Sequence, residues 1–148
     1  MEGANALNST YMRSPFAKRY DADGKVWMWV YASANLTALT PYAIQCDEYG
    51  PFAEVLSAAG EVYWVGVPHA AVSSGDNAWL QIGGYVANMI TANLSVTAGH
   101  SLTAATSAVA DGAAAYTGTT GEFCINTATT VGQTIHTVIL VPERITAA

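Results

Sequence analysis

From Glu61 to the end of the chain the sequence is a succession of short β-branched and aromatic runs broken by turn residues, and that rhythm narrows the possible folds more than any other feature. Val62–Val67, Ala78–Ile82, Tyr85–Ile90, Leu94–Val96, Ser101–Thr103, Phe123–Ile125 and Ile135–Val141 read as strands. Between them lie Ser73-Ser74-Gly75-Asp76-Asn77, Gly83-Gly84 and Ala98-Gly99-His100, rich in residues that accept positive φ or bond their own backbone. Short strands at roughly 8–12-residue spacing specify a sandwich or barrel. Residues 104–121, rich in Ala, Gly, Ser and Thr, read as a loop or a weak strand. No internal repeat is strong enough for a solenoid.

Upstream, Asp21-Ala22-Asp23-Gly24 signals a turn, and Val26-Trp27-Met28-Trp29-Val30-Tyr31 follows it. In a strand, Trp27, Trp29 and Tyr31 share one face, and Val26, Met28 and Val30 share the other. Both faces are apolar, so the strand is expected to be covered on both sides, by its own core and by a neighbouring subunit. Trp27, Trp29, Trp64 and Trp79 all sit inside apolar strands, the placement of core or subunit-interface residues rather than of a sugar platform. Residues 32–50 are loop-like, with an extended piece over Tyr42–Cys46. Pro51–Gly60 reads as one short helix, with Pro in the first turn, Phe52, Val55 and Leu56 at helical spacing, and glycine just past the end. Such a helix is marginal without packing. The expected architecture is mainly β: a single compact β-barrel or β-sandwich domain over 26–148 with one short helix, preceded by an extended N-terminal arm over 1–25.

Composition bears on what such a domain does. The chain has 148 residues, of which 51% are hydrophobic and 11% charged. An ordinary soluble domain is about 25% charged. Either another protein covers part of the surface, or the surface is one of Ser, Thr, Asn and Gly. Residues 1–25 carry Arg13, Lys18, Arg19 and Lys25 against Glu2, Asp21 and Asp23, a balance of +1. The remainder sets Arg144 against eight acids, a balance of −7. An acidic body excludes a phosphate-binding role of the usual kind, so no nucleic-acid partner is expected. The first 25 residues are read as a mildly basic arm suited to an acidic neighbour, or else as a solvated tail. No apolar run approaches a membrane span and no signal-peptide pattern opens the chain, so a soluble protein made in a cytoplasm is expected. The triplets at Asn8, Asn35 and Asn93 are then accidental sequons. Cys46 and Cys124 are expected to be thiols, with a disulfide left open.

His69, His100 and His136 lack metal-pair spacing, and no Cys/His cluster accompanies them, so neither metal nor cofactor is expected. Gly99-His100-Ser101-Leu102-Thr103 resembles the start of a nucleophile elbow, but Thr103 replaces the second glycine and no helix-forming stretch follows. The acids are scattered rather than paired across a groove. Gly83-Gly84 lacks the lysine and helix of a phosphate loop. The expectation is a protein that is not an enzyme.

One resemblance runs through Glu61–Val141. Val65-Gly66-Val67, Ala70–Asp76 ending in Gly-Asp, Trp79-Leu80-Gln81-Ile82-Gly83, Val86-Ala87-Asn88-Met89, Ala98-Gly99-His100-Ser101-Leu102 and Thr137–Val141 follow one another in order. This series is similar to that of the capsid decoration, or cement, proteins of tailed bacteriophages. The resemblance implies a β-tulip-like domain that assembles as a homotrimer on the outer surface of the virion. There it clamps neighbouring copies of the major capsid protein and stabilises the shell. It further implies that Arg13, Lys18, Arg19 and Lys25 contact the capsid, while Trp27, Trp29, Trp64 and Trp79 fill the core and subunit interface. The alternative from another class is a head-fibre or tail-associated module that binds carbohydrate or a cell surface. A third is a small hydrolase using Ser101 or a carboxylate pair.

Overall fold

The computed structural model describes residues 17–56, 64–91, 96–105, 108–115, 122–124 and 134–139. Among them it contains strands and turns and no helix. The strands are β1 Lys18–Tyr20, β2 Val26–Ala32, β3 Tyr42–Asp47, β4 Gly50–Val55, β5 Trp64–Pro68, β6 Asn77–Ile90, β7 His100–Ala105, β8 Ala108–Ala115, β9 Glu122–Cys124 and β10 Thr134–Ile139. The sheet runs in the order β1-β2-β4-β3-β5-β6-β10-β9-β7-β8, and a further pairing of β2 with β6 closes β2, β4, β3, β5 and β6 into a barrel.

Closure rests on β6. Its first half pairs antiparallel with β2, Trp29 opposite Trp79, and its second half leaves the barrel to pair with β10, Met89 opposite Ile135. The change of partner falls at Gly83-Gly84, where Gly84 has φ +84°. A side chain there would run into the Gly24 carbonyl, so glycine lets the β1–β2 turn seat against the bend. β2 and β4 are parallel, with Tyr31 opposite Phe52, and every other pairing in the sheet is antiparallel.

Two apolar cores follow from the alternation of side chains along these strands. Val26, Met28, Val30, Ala32, Tyr42, Ile44, Ala53, Leu80 and Ile82 fill the barrel, with Leu36 closing it. Beyond the bend, the second half of β6 with β10, β9, β7 and β8 forms a second sheet, and Ala43 and Val67, on the outside of the barrel wall, pack with its Val86, Met89, Leu102, Ile135 and Ile139. The second sheet therefore covers one side of the barrel.

The helix expected over 51–60 is not formed where the structure describes it: Gly50–Val55 is β4. A short helix has few bonds of its own, whereas this segment pairs along its whole length with β3 and also bonds β2. Pro51 fits because the β2 pairing begins only at Phe52, so its missing N–H breaks no ladder on that side. Residues 57–60 lie outside the described residues.

Candidate functional site

The most distinctive side-chain cluster is on the barrel wall away from the second sheet, and strand periodicity builds it. Because Val26, Met28, Val30 and Ala32 of β2 face the barrel core, Trp27, Trp29 and Tyr31 face outward. Trp79 of β6 lies opposite Trp29, with ring centroids 5.2 Å apart and planes tilted by 58°. On the other edge of β2, Arg19 of β1 lies opposite Trp27. Its guanidinium carbon is 5.0 Å from the Trp27 ring and 5.2 Å from the Trp79 ring. The cation thus lies over two indole faces.

Asp21 fixes the arrangement. Its Oδ2 accepts from Trp27 Nε1 at 2.7 Å, and its Oδ1 stands 3.4 Å from Arg19 Nε. The hairpin turn that carries it is closed by the Asp21 amide donating to the Lys25 carbonyl at 2.9 Å. Next along the turn, the Lys25 ammonium donates to the Asp23 carboxylate, and that bond holds the Asp23 pKa below its ordinary value. Lys18 Nζ lies 5.2 Å from the centre of the Trp64 ring. Beside Trp27, His69 meets its ring edge-on at 4.8 Å, and His69 Nε2 stands 2.8 Å from Gln81 Oε1. Gln81 is fully buried and its Nε2 donates to the carbonyls of Gly83 and Tyr85, each at 2.9 Å. Both amide hydrogens are then in use, so Oε1 accepts and His69 carries its proton on Nε2.

These placements refine two expectations. Of the four tryptophans expected in the core or at a subunit interface, none belongs to the barrel core: Trp27 is buried at 8% exposure against Arg19 and His69 on the outside of the barrel, and Trp64 is 37% exposed. Trp29 and Trp79 are half-buried on the same outer wall as Trp27. Lys18, Arg19 and Lys25 are not on a detached arm; Lys18 and Arg19 are in β1 and Lys25 opens onto β2, so the boundary expected at residue 25 runs through a β-hairpin. Arg13 lies outside the described residues. Asp21, His69, Gln81 and Tyr85 were not anticipated as participants. For Asp21 a signal existed, since a four-residue turn before a strong strand implies a pairing segment on its other side.

The remaining candidates are dispersed. Tyr85 and His136 stack with centroids 5.7 Å apart and planes 6° apart, the hydroxyl 2.6 Å from Nδ1. Ser101 lies in β7, its backbone opposite Phe123 of β9, an extended strand rather than the strand–turn–helix of an elbow. Asn35 Oδ1 accepts from the Ser74 amide at 2.8 Å. Cys46 is a free thiol whose pKa is raised, first by burial and then by the Asp47 charge. Among the described residues no group of three or more His, Cys, Asp or Glu side chains is placed to hold a metal ion.

No protein-family model matches the sequence, and no curated protein matches it. Among solved structures the fold is similar to the N base of the head fibre gp8.5 in bacteriophage phi29. The likeness covers 78% of this chain and 93% of that one, with a TM-score of 0.55 and 17% identity, so what the two share is a fold.

Proposed function

We propose that this chain is a structural protein of a tailed-phage head, attached to the outer surface of the shell. The observation that supports the reading best is the barrel fold itself, which is like that of a phage head fibre base. The ordered run of strand and turn motifs over Glu61–Val141, similar to that of capsid decoration proteins, leads to the same location from a different feature. The work of such a protein is to add interface area at many equivalent sites. A standard interface buries roughly 1,600 Å², and repetition turns modest contacts into a firm coat. The reading assigns the chain no catalysis, cofactor, nucleic acid or membrane.

Within that role, decoration is the reading the sequence motifs favour: a homotrimer clamping neighbouring major capsid subunits, with Arg13, Lys18, Arg19 and Lys25 toward the capsid. The fold likeness favours the second, the base of a head fibre or of a surface-binding module. Copy number separates them. In purified virions of the source phage, a ratio near one chain per major capsid subunit supports decoration, and a few dozen or fewer supports a fibre base. Absence of the chain from the particle would overturn both. The part of the segment before β1 is tested by deleting residues 1–16, which removes Arg13 and spares β1; the truncated chain is expected to fold and to bind heads more weakly.

A further inference from the structure

The cations whose surroundings the structure describes, Lys18, Arg19 and Lys25, lie on the β1–β2 hairpin. Outside that hairpin the charged side chains so described are acids: Asp47, Glu48, Glu54 and Asp76. With Asp21 and Asp23 set against its three cations the hairpin is +1, and on a body whose other described charges are acids it finds its electrostatic counterpart on another copy of the same body. The hairpin also borders an apolar wall. Arg19 is laid over Trp27 and Trp79 and oriented by Asp21, beside the Trp29–Trp79 pair. Tryptophan and arginine held in place in this way are the residues that dominate protein–protein binding energy. The opposite wall, at Ala43 and Val67, is covered by the chain's own second sheet.

The matching element is the tip of the β3–β4 hairpin. Asp47 Oδ1 accepts from the Tyr49 amide at 2.8 Å, which fixes the turn. Glu48 at the apex is exposed, and Tyr49 beside it is 49% exposed, one of the large apolar side chains most open to solvent. Carboxylates next to an aromatic ring are the complement of a guanidinium next to indoles, in charge and in apolar character alike. We propose that the Asp47–Tyr49 tip of one copy docks on the Arg19–Trp29–Trp79 face of another. The two patches differ, so the contact is head-to-tail, and it closes into a ring where the rotation between copies permits. This gives Arg19 to a neighbouring copy rather than to the capsid, and it is tested on the purified full chain with no capsid present.

The experiment is sedimentation velocity across a micromolar concentration series. Wild type is expected to form one discrete oligomer. R19E and E48R are each expected to weaken association by about tenfold or more, as loss of a close charge pair does. In the double variant R19E/E48R the new glutamate stands beside Asp21, so association is expected to be tighter than in either single variant but weaker than in wild type. A monomeric wild type, single variants that associate like wild type, or a double variant no tighter than the single ones would each overturn the proposal. Should R19E fail to fold, E48R and Y49A change only an exposed turn, and unchanged association by both would overturn it equally.

Discussion

At Gly84 the backbone has φ +84°, and a Cβ would stand 2.7 Å from the Gly24 carbonyl oxygen and 3.1 Å from Lys25 Cα. Both neighbours are backbone, so neither a rotamer change nor a small shift relieves the clash, and the φ itself disfavours any L side chain. Gly66, by contrast, faces the barrel interior, where a Cβ would meet Ile44 Cδ1 at 2.5 Å and Leu80 Cβ at 3.1 Å. The Ile44 methyl can swing away. Gly84→Ala is therefore expected to cost about 2–4 kcal/mol and Gly66→Ala about 1–2 kcal/mol. Urea unfolding measures both, and the reverse order would mean that the β1–β2 turn moves easily off β6. A second residue-scale prediction concerns Asp23, whose depressed pKa comes chiefly from the Lys25 hydrogen bond. The folded state binds that proton less readily than the unfolded one. The pair's contribution is thus present above the ordinary carboxylate pKa and is lost as pH falls through the lower folded value. Lys25→Met should return the Asp23 titration to the ordinary range, read from its side-chain carboxyl shift by NMR. A titration that stays low would assign the shift to backbone donors instead.

Among the elements, β6 joins the parts of the fold, and Gln81 holds its bend. Its amide donates to the carbonyls of Gly83 and Tyr85, one in the bend and one just past it, and presents its oxygen to His69. Gln81→Leu fills the space but leaves those carbonyls unpaired. A loss of about 2–3 kcal/mol is expected, with the urea m-value unchanged, and a loss under about 0.5 kcal/mol would mean water takes over the amide's bonds. The sequence showed both halves of this strand through their β-branched and aromatic runs. It also suggested a break at Gly83-Gly84, because glycine is a local signal, whereas continuity across the bend comes from partners far away in the chain, β2 on one half and β10 on the other. Distant pairing likewise made β4 a strand, since the spacing of Phe52, Val55 and Leu56 is compatible with either state. Residues 108–115 have too little apolar contrast to declare a period, yet they form β8 because β7 offers an edge. At the site, the shared face of Trp27, Trp29 and Tyr31 was legible from alternation alone. Which face turns inward was not, since both are apolar. Size decides it: even an eight-stranded barrel is only just wide enough for packed side chains, so a five-stranded one takes Val, Met, Ala, Leu and Ile with one ring, Tyr42, and leaves the bulkier indoles of β2 outside.

At the scale of the whole molecule the two cores are joined by shared strands. In β3, Tyr42 and Ile44 face the barrel while Ala43 between them faces the second core. In β6, Leu80 and Ile82 belong to the barrel, and Val86 and Met89 to the second sheet. Neither core can lose its packing without exposing a strand that the other needs, so unfolding is expected to be a single cooperative transition. The four tryptophans supply a test because all lie on barrel strands, β2, β5 and β6. Met28, fully buried, belongs to the barrel core, and Met89, equally buried, belongs to the second. Truncating either to alanine should cost about 2–5 kcal/mol. If the cores are coupled, Met89→Ala lowers the midpoint seen by barrel tryptophan fluorescence as much as the midpoint seen by far-UV circular dichroism, and Met28→Ala behaves in the same way. If Met89→Ala instead shifts only part of the dichroism change and leaves the fluorescence midpoint where it was, the second sheet unfolds by itself. The barrel would then be an autonomous unit, with the second sheet packed on it as a separable layer.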